Sequence, residues 1–497
     1  MFRRLITIAV GGTMGLALLA IVTIRVGALF GAGTQLDGYL VGVAAPSLFL
    51  SLLATAIPSY ITPKLSVLAP REASRRAGEW ALFIFLSTAI VAAVIIAART
   101  PIISVLAPGL SKESSQIAAR VLAIYALSIP STLAASAYAA YGFANGRVWT
   151  NGVSTGVYGA VWLGLLFIPA FTHSVSSVSF ACVIATQIQL LVAFLCSSSR
   201  VHRPWPRWRM PAYPWVPLLA IAGVVVNVAV GKANIILDPM LGSLSGKGDV
   251  SLLVYATRFT ILIVAVCGQG PSLTVLSGRT SADDRKNPLA IAALASTALI
   301  AAGIATAVAI AFEPLARIIL GHGQFTQHSA AEVGRLVEDY APAIVLMTIA
   351  WSLEATLYSM GVTWRLVLLS LPGLTVNIAL SLLLLPAVGI EARPIAVTAA
   401  MLLYVVLLSR YLSNMKDGFD VARALPKQKI IELVALVALV SGISRLGGNA
   451  LEIPPAVWAA TALGFAGVIV LVATRSWLRD QSLPRPSVAG EPSGSTL

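Results

Sequence analysis

The sequence predicts an all-α polytopic membrane protein of about fourteen spanning helices. Six-helix lobes, two of them and pseudo-symmetric, surround a central cavity, and two C-terminal helices follow. Three observations predict this. The chain is 58% hydrophobic and only 11% charged, with a mean hydropathy of +0.87, against about 25% charged residues in average usage. Apolar runs long enough to span a bilayer, about 20 residues each, recur along the whole chain. The basic residues fall asymmetrically between those runs.

The runs, bounded by charge or by Gly and Pro, are roughly 5–29, 37–62, 80–98, 118–144, 151–171, 176–198, 214–237, 250–276, 288–312, 337–361, 365–386, 392–414, 429–445 and 455–474. With a cytoplasmic N-terminus, the inside segments hold 23 of the 34 Lys and Arg and the outside loops hold 7. That bias supports both the number of spans and the orientation, with N- and C-termini cytoplasmic. The net charge of +14 is therefore read as topology, not as the footprint of a nucleic-acid partner. The start, "MFRRLITIAV", has the charge of a signal peptide, but the apolar run that follows is too long, so it reads as a retained first helix.

The predicted divisions are an N-lobe over 1–210, a C-lobe over 211–414, two further spans over 415–475 and a disordered cytoplasmic tail over 476–497. The tail is rich in Pro, Ser and Gly. Residues 313–335 form a longer outer loop that reads as a short interfacial helix, and 415–428 form a basic linker. Two echoes link the lobes: "YGFANGR" (141–147) with "YSMGVTWR" (358–365), and "IPSYITPKLS" (57–66) with "GPSLTVLSGR" (270–279). Each pair lies about 215 positions apart, six spans on. Duplicated bundles around a cavity are a transporter architecture.

Ionisable residues inside spans point to function, because burying one in lipid is costly and a cavity or a partner usually explains it. Arg258 lies within "LLVYATRFTILIVAV" (252–266), where an arginine costs from about 3 to more than 10 kcal/mol. Lys232 and Asp238 lie in and at the end of span seven, Arg25 late in span one, Asp37 at the start of span two and Glu354 in span ten. If spans one, two, seven and eight line one cavity, it holds three cations and two carboxylates. That suits an anionic headgroup, since arginine grips phosphate oxygens bidentately and lysine acts as a point charge. Blander readings stand beside this one. Arg25 and Asp37 could snorkel or pair across the short loop, and Lys232 could pair with Asp238. Glu354 fits a structural hydrogen bond as well as a proton or cation site.

Other patterns carry no chemistry. "GVSTG" (152–156) matches a hydrolase motif that needs a strand–turn–helix context, yet it opens a spanning helix, so it and "GGTMG" (11–15) read as packing faces. His173, His202, His322 and His328 lack metal-ligand spacing. Cys182, Cys196 and Cys267 read as small buried hydrophobes. No Walker A motif points to ATP. No catalytic residue, metal or cofactor is expected.

Three stretches resemble the lipid II flippase family (MurJ, MviN) of the MOP exporter superfamily. They are "FGAGTQLDGYLVGVAAPSLF" (30–49), "LDPMLGSLSGKGDVSLLVYATRF" (237–259) and residues 321–400. The first puts Asp37 on the family's aspartate, and the second puts Arg258 on its arginine. The resemblance implies a multi-pass protein of the bacterial inner membrane. It implies a flippase for an undecaprenyl-diphosphate-linked glycan, working by alternating access and driven by membrane potential or a coupling ion, Na+ or H+. It also implies that Arg258, Lys232, Arg25 and Asp37 contact substrate, that Asp238 and Glu354 serve coupling or gating, and that spans thirteen and fourteen hold the lipid tail. Cell-wall synthesis proteins are possible partners. The family's arginines in spans one and two fall here on Leu16, Val22 and Leu50, and Lys232 stands where the family usually has a polar residue such as Gln. Half of the implied cationic site is thus absent. That admits a flippase for exopolysaccharide or O-antigen-type lipid-linked oligosaccharides. A MATE-like drug/cation antiporter would need a net acidic cavity, and a glycosyltransferase would need outer catalytic carboxylates. A non-transporting partner of a cell-wall complex would tolerate the missing arginines.

Overall fold

The computed structural model describes residues 2–145, 147, 149–197, 229, 232–278, 302–306, 308–359 and 364–414, and no strand occurs among them. Most of the expected spans seven and nine, all of spans thirteen and fourteen, the basic linker and the tail lie outside the described residues. The helices are α1 (Phe2–Phe30), α2 (Thr34–Ser66), α3 (Pro70–Ala97), α4 (Arg99–Leu106), α5 (Lys112–Ala126), α6 (Ile129–Ala144), α7 (Trp149–Leu165) and α8 (Val175–Ser197) in the first bundle. The second bundle holds α9 (Asn234–Ser245), α10 (Asp249–Gly278), α11 (Phe312–Leu320), α12 (Gln327–Asp339), α13 (Ala341–Ser359), α14 (Trp364–Val388) and α15 (Ala392–Ser413). Among the described residues, six helical stretches are long and apolar enough to cross a membrane, or up to eight when each bent pair is taken as one span. The protein is an all-α polytopic membrane protein of two helical lobes.

Small residues set how closely the helices approach, because lipid offers no hydrophobic drive between them. On α2, a Cβ at Gly38 would sit 2.8 Å from the Ser114 carbonyl oxygen, and one at Gly42 would sit 2.7 Å from that of Ala118. This Gly-x-x-x-Gly face fixes α2 against α5. The "GGTMG" and "GVSTG" stretches meet each other: Thr155 of α7 lies 3.1 Å from where a Cβ on Gly15 of α1 would be. Three prolines fall inside α2, at Pro46, Pro58 and Pro63, as spanning helices tolerate when neighbouring side chains satisfy the freed carbonyls. Separately, the hydroxyls of Ser51, Thr55, Ser59 and Ser66 donate to the carbonyls of Leu48, Ser51, Thr55 and Pro63, none of them a carbonyl that a proline frees.

Two expectations are corrected. The segment 313–335 is not a single interfacial helix. It comprises α11, a loop at 321–326 and most of α12, and α12 meets α13 at a 53° bend. Phe325, in that loop, is only 1% exposed. Arg393, at the edge of the expected span 392–414 and counted among the seven outer charges, is the second residue of α15 and also only 1% exposed. Pro394 beside it suits a first helical turn, where no backbone donor is missed.

Candidate functional site: the seal between the lobes and the arginine beneath it

The two lobes touch where the α1–α2 turn meets the start of α10 and the α11–α12 loop. Four contacts close this end. Asp37, 2% exposed, accepts hydrogen bonds from the backbone N–H of Gly248 at 2.7 Å, the N–H of Ser251 at 2.9 Å and the hydroxyl of Ser251 at 2.5 Å. Gly248 precedes the first helical residue of α10 and has no side chain to cap it. The carboxylate of the other lobe therefore satisfies amides that a helix start leaves unpaired. A negative charge is also favoured at that positive end of the helix dipole.

The second contact is Tyr255, one turn further along α10, whose hydroxyl donates to the Thr23 carbonyl of α1 at 2.7 Å. Gly27 makes room for it, since a Cβ there would lie 2.9 Å from the tyrosine oxygen. The Tyr255 ring also packs on Phe325, with centroids 5.5 Å apart. The third contact is the Gln324 N–H, which donates to the Ala28 carbonyl at 2.9 Å. Backbone meets backbone here because Gly31 and Gly323 have φ of +65° and +67°. A Cβ on either would come within 2.4 Å of a carbonyl oxygen across the interface. The fourth is Gly109, after α4, which abuts the Ser243 carbonyl of α9 so closely that no Cβ would fit.

Arg258 lies immediately below this seal. Ser251, Tyr255 and Arg258 are spaced as one face of α10, so the arginine is about 10 Å down the helix from the Asp37 contact at 1.5 Å per residue. Residues 250–257 and 259–260 of α10 are buried, yet Arg258 is exposed. A cation left open amid a buried stretch, three residues past Tyr255 at the junction of the lobes, can meet an anion.

The other candidates do not gather around it. Arg25 sits over the Phe167 ring at 5.3 Å, with its buried Nε lacking a hydrogen-bond partner. Lys232 is half-buried, and no described residue pairs with it. Asp238 pairs instead with Arg393, whose Nε donates to its Oδ1 at 2.6 Å. Glu354, on α13, accepts from the Tyr404 hydroxyl of α15 at 2.7 Å. Sequence reasoning missed Ser251, Tyr255, Asn234, Asn377, Ser381 and Arg393. Asn234, Asn377 and Ser381 did leave a signal, two polar pairs four residues apart (234/238 and 377/381) in otherwise apolar runs.

Two lobes that meet at one end, with a cation beneath the meeting point, are the arrangement of a membrane transporter. The family model "Lipid II flippase MurJ" matches residues 26–451, and the chain belongs to that family. Its fold is similar to that of a solved lipid II flippase MurJ in an inward closed conformation. The TM-score is 0.79 at 16% identity, covering 96% of this chain and 99% of that one. It is also similar to an inward-facing multidrug resistance MATE transporter of the MOP superfamily, with TM-score 0.67, 11% identity and coverage of 87% and 99%. A eukaryotic MATE transporter follows, with TM-score 0.58, 14% identity and coverage of 86% and 99%. None of the curated proteins matches the chain in sequence.

Proposed function

We propose that this chain is a flippase for a polyprenyl-diphosphate-linked saccharide in the bacterial inner membrane, with the peptidoglycan precursor lipid II as the first substrate to test. The observation that carries this reading is Arg258, exposed within an otherwise buried stretch of α10 and two turns beneath the interlobe seal. Its planar fork of donors matches phosphate oxygens, and Lys232 supplies a second cation in the same lobe. With the N-terminus cytoplasmic, the seal lies on the outer face and the cavity opens inward to receive lipid-linked substrate. Breaking the Asp37, Tyr255 and Gln324 contacts lets residues 1–210 rock against 211–414 and present the headgroup outside. Spans over 415–475 hold the lipid tail. Membrane potential or a coupling ion drives the cycle, and Glu354, within reach of the Tyr404 hydroxyl, is the carboxylate we assign to it.

A second reading has its own support. Val22, at one of the family's arginine positions, is buried at 2% exposure and offers no charge. A lipid-linked oligosaccharide other than lipid II, needing fewer cationic contacts, fits that departure.

The test is depletion of the protein in its host, with lipid II exposure followed by an external lipid II-cleaving toxin. Shielding of lipid II on depletion, with access restored by wild type and not by Arg258→Ala, is the expected result. Lipid II that stays accessible would reject lipid II as substrate and leave the other lipid-linked glycans.

A further inference from the structure

The second lobe contains a buried cation held by oxygen on several sides, and it is part of the chain. Arg393 is 1% exposed. Its Nε donates to Asp238 Oδ1 at 2.6 Å, one terminal nitrogen donates to Asn234 Oδ1 at 2.6 Å, and the other donates to Ser381 Oγ at 3.2 Å and to Asn377 Oδ1. Asn377 Nδ2 reaches Asn234 Oδ1 at 3.5 Å. Asn234 and Asp238 are one turn apart on α9, and Asn377 and Ser381 one turn apart on α14. Each pair therefore shows one face, and the two faces enclose the guanidinium that the first turn of α15 inserts.

One carboxylate, two carboxamide oxygens and a hydroxyl form a ligand set for a hard monovalent cation. The net charge of that set is minus one, and the guanidinium brings plus one. We infer that Arg393 is the resident cation of this lobe: it fills an oxygen cage that would otherwise take a small exchangeable ion. Asp238 is thereby permanently neutralised. The helices α9, α14 and α15 move as one body, and no ion enters or leaves this cage during the cycle. Any ion coupling acts elsewhere in the molecule. The inference rests on the geometry of the cage and not on the flippase reading, and its test reads stability, not transport.

The experiment is thermal unfolding of the full-length protein in detergent. Chlorides of choline, sodium, potassium and guanidinium are compared at equal ionic strength, with guanidinium kept at low millimolar. The wild type is expected to unfold at one temperature in all four salts. Arg393→Ala is expected to unfold earlier in choline, and its midpoint to climb with the logarithm of guanidinium or sodium concentration, as for any ligand of the folded state. Adding Asp238→Asn to Arg393→Ala is expected to abolish that climb, because the cage then carries no charge. Should Arg393→Ala be lost on extraction in choline, its recovery by extraction in guanidinium or sodium reads the same dependence. An Arg393→Ala protein indifferent to every small cation would overturn the inference. So would a sodium-dependent rise in the wild type that Ser381→Ala removes.

Discussion

Asp37 and Asp238 are both buried carboxylates near the ends of apolar helices, and the two are held in opposite ways. Asp37 faces another lobe and is bound by two backbone amides and a hydroxyl. Asp238 faces its own lobe and is bound by a guanidinium. Hydrogen bonds to neutral donors are individually worth about 1 kcal/mol net, somewhat more when the acceptor is charged. They can be exchanged for water when the lobes part. Removing one partner of a buried ion pair costs about 3–5 kcal/mol, so that contact does not open in a working cycle. The first carboxylate suits a seal that must break, and the second suits a strut that must not.

The largest effect should come from the strut. Arg393→Ala leaves Asp238 charged and unpaired, and a loss of about 3–5 kcal/mol should appear as a markedly lower unfolding temperature and lower yield. A near-normal unfolding temperature in sodium-free buffer would break the comparison at its second term. Next is Arg258, which is exposed and pairs with nothing in the fold described. Arg258→Ala should leave the unfolding temperature within a degree or two and reduce transport at least tenfold, as loss of a charge-assisted phosphate contact of about 1.5–3 kcal/mol implies. Arg258→Lys should restore part of the activity, since it keeps charge but not the bidentate fork.

Asp37→Asn removes the charge that faces the start of α10 but leaves one acceptor oxygen. It should weaken the seal by about 1–2 kcal/mol and raise labelling of a cysteine placed at Ala32, partly buried in the α1–α2 turn, with little change in unfolding. The smallest effect is expected at Tyr255→Phe, which deletes the bond to Thr23 and keeps the ring on Phe325. About 0.5–1.5 kcal/mol should again favour the open seal. A larger effect there than at Asp37 would shift the weight of the seal from the carboxylate to the tyrosine.

Much of the fold was legible because bilayer thickness imposes helix length, one segment at a time. Arg258 was legible for the same reason: a charge inside a long apolar run is conspicuous. Arg393 was not, because a charge beside a proline at the edge of a run looks like a loop. Its partners lie 12, 16, 155 and 159 residues away, and a single sequence does not announce such pairings. Asp37 was singled out, yet its partners, 211 and 214 residues on, include two backbone amides that no side-chain pattern can reveal. The α11–α12 loop was read as interfacial because its helices are amphipathic. Their apolar faces in fact bury Phe312, Ala316, Leu320 and Val333 in the lobe.

The seal is tested most directly by a distance across it. Spin labels at Lys112→Cys, in the first lobe, and His328→Cys, in the second, both exposed, would be placed in a cysteine-free background. The separation would then be measured by pulsed electron resonance with and without Asp37→Ala. A short separation in the parent that gives way to a longer one with Asp37→Ala, while Tyr404→Phe leaves it short, is the result expected of a carboxylate latch. The same short separation with and without Asp37 would contradict it.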